Sequence, residues 1–201
     1  MKYLSLDIET CGLNPKTDSI LEFGAILDDL ENPLPYQLCP KYHCYFLPAD
    51  GIQYHGQPFA LSMHPKIFRM IAERENDHGN CYKYLSPNKF GYDFKQFLIK
   101  ECWFEPKSDR CTINVAGKNF GAFDLQFLNE QTDLSKHVKI RHKILDPGAM
   151  YMEIYDDVVP GTEECLERAG IRGKEIAHTA LEDAWDVIEL IRFKMLDKET
   201  K

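Results

Sequence analysis

The chain has 201 residues, and its 24 Lys and Arg against 32 Asp and Glu give a formal charge of −8. An apolar share of 44% and a charged share of 28% suit an ordinary globular protein and exclude collagen-like, mucin-like and wholly disordered chains. No window holds the roughly 20 uninterrupted apolar residues of a membrane span, and Met1-Lys2-Tyr3-Leu4-Ser5-Leu6-Asp7 reaches a carboxylate too early for a signal-peptide core, so one cytoplasmic domain over residues 1–201 is expected.

The first strand runs from Tyr3 to Glu9. Leu4, Leu6 and Ile8 share one face, and Ser5, Asp7 and Glu9 share the other. Two carboxylates thus leave the same face about 7 Å apart. Their repulsion is costly unless a cation or water compensates. Thr10-Cys11-Gly12-Leu13-Asn14-Pro15 is a turn. Ile20 to Leu27 is nearly continuously apolar and reads as a buried strand. Glu22 within it is expected to be structural, bonded to backbone. Tyr42 to Leu47 is a third strand. Residues 49–93 are less regular and rich in Gly, Pro, Asn and His. Within them one helix is expected over 65–75, started by Pro65, with Ile67 and Ile71 at i, i+4.

Asp93 to Cys102 reads as a helix with Phe94, Phe97 and Leu98 on one side. Thr112 to Ala116 is a short strand, residues 117–121 turn the chain, and a helix follows from Phe123 to Asn129. Lys139 to Leu145 alternates, as a half-exposed strand does. Asp146-Pro147 marks a turn, and Asp156 and Asp157 a solvated loop. Thr162 caps a short helix that Gly170 ends. The last helix begins near Thr179, with Ala180, Ala184, Val187, Ile188 and Ile191 as its core stripe and Glu182 and Asp186 on its solvated side. This order is α/β, with a mixed sheet.

The seven cysteines are odd in number and include no CxxC pair, which argues against a disulfide framework. Cys39, His43 and Cys44 lack a matched second pair, so no zinc site is expected. The acidic balance argues against coating nucleic acid by bulk charge. It allows an enzyme whose own carboxylates hold cations.

Four acids stand where these elements aim them at one point: Asp7 and Glu9 on the first strand, Asp124 at a helix start, and Asp183 on the inner edge of the last helix. His178 faces the same cleft if it lies in the loop before that helix. Each has an ordinary alternative. Asp7 and Glu9 can be an exposed face, Asp124 a helix cap, Asp183 a solvated residue and His178 a satisfied loop histidine.

The motifs are specific in combination. Asp7-Ile8-Glu9-Thr10-Cys11-Gly12-Leu13 resembles the first motif of the DEDDh exonucleases, in the DnaQ-like, ribonuclease-H-fold superfamily. Asn119-Phe120-Gly121-Ala122-Phe123-Asp124 resembles the second, and His178-Thr179-Ala180-Leu181-Glu182-Asp183-Ala184 the third. The resemblance spans residues 3 to about 190. It implies a ribonuclease-H-like fold, a mixed central β-sheet flanked by α-helices. It also implies a 3′–5′ exonuclease that releases nucleoside 5′-monophosphates from single-stranded DNA or RNA with two divalent cations, Mg²⁺ or Mn²⁺.

In that pattern Asp7 bridges both ions, Glu9 and Asp183 hold the one that carries the attacking water, and Asp124 supports the other. His178 is the general base. Substrate contacts are implied for Thr10, Gly12, Leu13, Asn119 and Phe123, with core packing as the alternative for Leu13 and Phe123. Met63 and His64 fall where relatives border the terminal nucleotide, although Met63 equally suits a core. Lys66, Arg69 and Arg74 suit a solvated helix face better than phosphate contacts. The expected partner is a single-stranded 3′ end, with a homodimer or a polymerase-associated subunit compatible. No basic patch for structured RNA is obvious. Rival readings are an RNA-trimming exoribonuclease or oligoribonuclease, and a non-catalytic nucleic-acid binding module.

Overall fold

The computed structural model describes residues 1–74, 82–101, 109–171 and 179–196. Its strands are β1 (Lys2–Thr10), β2 (Ile20–Asp29), β3 (Lys41–Phe46), β4 (Tyr82–Leu85), β5 (Cys111–Ala116) and β6 (Val138–Leu145). They form one mixed sheet in the order β4-β3-β2-β1-β5-β6. β2 runs antiparallel to both β1 and β3, while the β3–β4, β1–β5 and β5–β6 pairs are parallel. The C-terminal ends of β1, β5 and β6 therefore meet at one rim of the sheet.

One face of the sheet offers Leu4, Leu6, Ile8, Phe23, Tyr42, Cys44 and Phe46. It packs on Phe90, Phe94 and Leu98 of α3 (Pro87–Lys100), Phe127 and Leu128 of α4 (Asp124–Gln131) and Leu134 of α5 (Leu134–His137). Phe23 meets Phe90 and Phe94 edge-on, with ring centres 4.7 and 5.2 Å apart. Burying each such ring contributes about 1.5–3 kcal/mol.

The opposite face carries Tyr3 and Ile26 against Ala184, Val187, Ile188 and Ile191 of α8 (Ala180–Leu196). A Cβ at Gly24 would lie 2.5 Å from the Ala180 carbonyl carbon, so glycine on β2 lets the first turn of α8 rest on the sheet. The far side of α8 is covered too. Leu190 packs with Tyr151, Cys165, Leu166 and Ala169, around α6 (Pro147–Met150) and α7 (Thr162–Arg168). This double burial corrects the expectation for Asp186, which is buried rather than solvated.

Regular elements occur among the described residues of the 49–93 segment. It holds α1 (Pro58–Met63), α2 (Pro65–Glu73), β4 and the start of α3. α2 buries Ile67, Met70 and Ile71 against Cys11, Leu21 and Tyr45. α3 starts at Pro87, six residues before the expected Asp93, with proline in its first turn. Asp146-Pro147 opens α6 rather than a bare turn, because the Asp146 carboxylate accepts the Gly148 N–H at 2.8 Å. The N-cap of α7 is Gly161, and Thr162 is its first helical residue. Gly170, at φ +73°, ends α7 in the left-handed region that glycine tolerates best. Asp156 is not simply solvated: Arg168 grips both its oxygens, at 2.6 and 2.8 Å. Cys11, Cys39, Cys44, Cys111 and Cys165 are buried free thiols; Cys81 and Cys102 lie outside the described residues. Among the described residues, no helix is long and apolar enough to cross a membrane.

Candidate active site

Asp7 and Glu9 stand near the C-terminal end of β1, and Asp183 lies in the first turn of α8. One carboxylate oxygen of each falls within 4.8 Å of the others. Asp124 is the first residue of α4 and is buried; its Oδ1 accepts the N–H of Ile8 at 3.2 Å. The fourth acid is thereby tied to the peptide between Asp7 and Glu9. Phe123 occupies the cap position, so Asp124 is not an N-cap.

Such crowding keeps protons on the acids when nothing else neutralises them. Burial first, then the charges of Asp124, Asp183, Glu9 and Glu22, hold the Asp7 carboxyl well above its usual range. Burial and then Glu22, Asp183 and Asp124 push Glu9 up to about 8. Asp124 rises to about 7 through burial, against the lowering effect of its backbone hydrogen bonds. Hard oxygen donors that repel one another in a desolvated recess suit a divalent cation.

The other sequence-predicted residues divide. Thr10 is buried and donates its hydroxyl to the Gly12 carbonyl at 2.7 Å. A Cβ at Gly12 would lie 2.2 Å from Asp18 Oδ2, and that same oxygen accepts the Asn14 N–H at 3.0 Å. Glycine here makes room for the acid that folds the turn. Leu13 is 72% exposed and Met63 52%, so neither is a core residue. Phe123 is half-buried and packs on the main core beside Phe127, with ring centres 5.1 Å apart. Asn119 is exposed, at φ 54°, and its N–H donates to Asp146 Oδ2 at 2.9 Å. His64 is buried, with Nε2 at 3.7 Å from Glu9 Oε2. Lys66, Arg69 and Arg74 are exposed. His178 lies outside the described residues.

Two features add to the sequence pattern. Glu22 is bonded not to backbone but to the His43 ring, Nε2 to Oε1 at 2.5 Å. Local pattern carries no signal for this bond, because it depends on the register between β2 and β3. Exposed Lys136, Lys139, Arg141 and Lys143 line β6 and the end of α5, where residues 136–143 hold four cations, two histidines and no acid.

No family model matches the chain. Ribonuclease T of Haemophilus ducreyi is 24% identical over 177 residues, covering 75% of this chain and 77% of that protein. E. coli exonuclease I in complex with a dT13 oligonucleotide superposes with a TM-score of 0.57 at 18% identity, over 95% of this chain and 40% of that one. Exonuclease I of Methylocaldum szegediense gives 0.59 at 19%, over 99% and 41%. The chain thus spans about two fifths of those exonuclease I chains. The mixed sheet flanked by helices is the ribonuclease-H-like fold of those exonuclease I structures, and here it carries acids at the end of β1 and on two helices. Ribonuclease T and exonuclease I are thus the proteins that this chain is similar to, in sequence and in fold respectively.

Proposed function

We propose that the protein removes nucleotides from the 3′ end of single-stranded nucleic acid by metal-dependent phosphodiester hydrolysis. The convergence of Asp7, Glu9 and Asp183 within 4.8 Å, with Asp124 hydrogen-bonded alongside, carries this reading. The four carboxylates would hold two Mg²⁺ or Mn²⁺ ions, which supply charge neutralisation at the scissile phosphate and a water acidic enough to attack near neutral pH. By its motif, His178 would take the proton of the attacking water. Leu13 and Met63, apolar and exposed, would pack against the terminal base, an interaction that any base allows. Thr10, Gly12, Asn119 and Phe123 shape the floor and wall for its sugar.

Both sugars are in play. The name of the relative ribonuclease T supports RNA, and the dT13 oligonucleotide bound to E. coli exonuclease I supports DNA. The test uses 5′-labelled DNA and RNA strands of matched sequence, with Mg²⁺, Mn²⁺ or EDTA, beside Asp124→Ala. A ladder shortening from the 3′ end that needs metal and vanishes in the variant is expected, and the faster ladder names the sugar. Cleavage of neither strand under any metal would leave the non-catalytic binding module.

A further inference from the structure

The row of acids does not stop at β1. Strand register sets Glu22 of β2 directly beside Glu9, where neighbouring Cβ atoms stand about 5 Å apart. One strand further, His43 of β3 holds Glu22 Oε1 at 2.5 Å. Glu22 is wholly buried, and its second oxygen, Oε2, has no hydrogen-bond partner among the described residues. Leaving such an acceptor unmet is destabilising, and a water or an ion is one of the partners that resolves it.

The molecule satisfies its other buried acids. Asp28 accepts from the Tyr3 hydroxyl at 2.6 Å and from Arg192, and Asp133 accepts the Gly91 N–H at 2.6 Å. Glu22 differs from these in lying beside Glu9, one of the three acids whose oxygens come within 4.8 Å of one another. A hydrated cation brings donors with it: its water molecules present O–H groups outward. Glu9, on one side of Glu22, is a direct oxygen donor. His43, on the other, fixes the Glu22 carboxyl so that Oε2 is the free acceptor.

We infer that Glu22, positioned by His43, is an outer carboxylate of the cation site, its Oε2 accepting a hydrogen bond from the hydration water of the ion that Glu9 helps to hold. The inference rests on the metal-dependent reading above. It makes the site larger than the four-acid pattern by one carboxylate and one imidazole, drawn from β2 and β3. Neither residue touches substrate; both set how firmly the cation is held.

The test is titration calorimetry of the full chain with Mn²⁺ alone, together with thermal melts in EDTA. Glu22→Gln keeps the side-chain volume and is expected to bind Mn²⁺ at least about 10-fold more weakly, the usual cost of losing an outer partner of a metal site. Its melting temperature in EDTA should not fall, because the amide keeps the side-chain volume and an oxygen for the His43 ring. His43→Gln keeps an N–H donor toward Oε1 and should retain wild-type affinity. His43→Leu leaves Oε1 without that donor and should weaken Mn²⁺ binding. Unchanged Mn²⁺ affinity in both Glu22→Gln and His43→Leu overturns the inference, as does a loss of stability in EDTA with affinity intact, which is the mark of a purely structural pair. Failure of the wild-type protein to bind Mn²⁺ overturns the metal-dependent reading itself.

Discussion

The Ile8 N–H donates to Asp124 Oδ1 across 3.2 Å, joining residues 116 positions apart. β1 thus hands its two carboxylates forward on one face while the peptide between them fixes the acid contributed by α4. The bond separates two consequences of mutation. Asp124→Asn keeps an acceptor for Ile8 but loses the charge. Asp124→Ala loses both.

Both variants should lose 3′–5′ hydrolysis by at least about 100-fold, the upper end of what removal of a mere outer partner costs a metal site. They should differ in stability. The alanine leaves the buried Ile8 N–H unmet, at about 1–3 kcal/mol, and should melt below the asparagine variant. Melts in EDTA beside single-turnover assays check this. An active Asp124→Asn enzyme would remove Asp124 from the metal site.

Gly24 couples the sheet to the last helix. A Cβ there would lie 2.5 Å from the Ala180 carbonyl carbon and 2.6 Å from the Leu181 nitrogen. Both are backbone atoms and cannot swing aside. Gly24→Ala should therefore shift the first turn of α8, which carries Asp183, away from Asp7 and Glu9. The overpacking should cost about 1–3 kcal/mol, or about 2–4 °C of melting temperature per kcal/mol. Mn²⁺ affinity should fall with it. Wild-type affinity in this variant would show that Asp183 tolerates the displacement.

The strands that carry the site were legible because burial writes a period into them. Leu4, Leu6 and Ile8 against Ser5, Asp7 and Glu9 determine the faces of β1 with no other information. The stripe Ala180, Ala184, Val187, Ile188 and Ile191 does the same for α8, and all five are buried. Asp186 was misplaced because that stripe describes only one of two covered sides, the second being supplied by Tyr151 and α7. β4 escaped notice as a four-residue edge strand with a lysine in it. Its pairing with β3 is a long-range fact that local pattern does not hold. The start of α3 was marked by Pro87, a proline suited to a first turn. The Glu22–His43 bond needs the register between β2 and β3, which only the assembled sheet provides.

The metal-free protein should lose stability as pH rises. Glu9 ionises only near 8 and Asp124 near 7 in the folded chain, while in the unfolded chain both ionise at about 4. Between those values the folded state retains protons that the unfolded state has released, so raising pH favours unfolding. The loss begins above about pH 4 and is complete only above about pH 8. In EDTA, melting temperature should fall from pH 6 to pH 8.5, and Asp124→Asn should flatten the slope. Mn²⁺ should restore stability most at the alkaline end, where it no longer competes with protons. A melting temperature that rises across this window in EDTA, in wild type and variant alike, would contradict the protonated cluster.

The basic edge of the sheet predicts how longer substrates are held. Ile113 pairs with Ile140 and Val115 with Ile144, so Arg141, His142 and Lys143 of β6 bulge opposite a single residue of β5. All three are exposed, as are Lys136 and Lys139. β6 ends at Leu145, and the next residue, Asp146, accepts the Asn119 N–H at 2.9 Å. Asn119 opens the turn that delivers Phe123 and Asp124, so the cations lie along an edge that runs to the candidate active site. Replacing Lys139, Arg141 and Lys143 together by Glu should weaken binding of long single strands. It should also reduce the slope of log affinity against log salt by about 2, near 0.7 for each single-strand phosphate that is no longer neutralised. Hydrolysis of a nitrophenyl ester of thymidine 5′-monophosphate, too short to reach β6, should be unchanged. Charges on an edge strand also deter sheet-to-sheet association. If the triple variant self-associates in light scattering while its affinity and salt slope stay at wild-type values, edge protection is the whole role of these cations, and the strand path lies elsewhere.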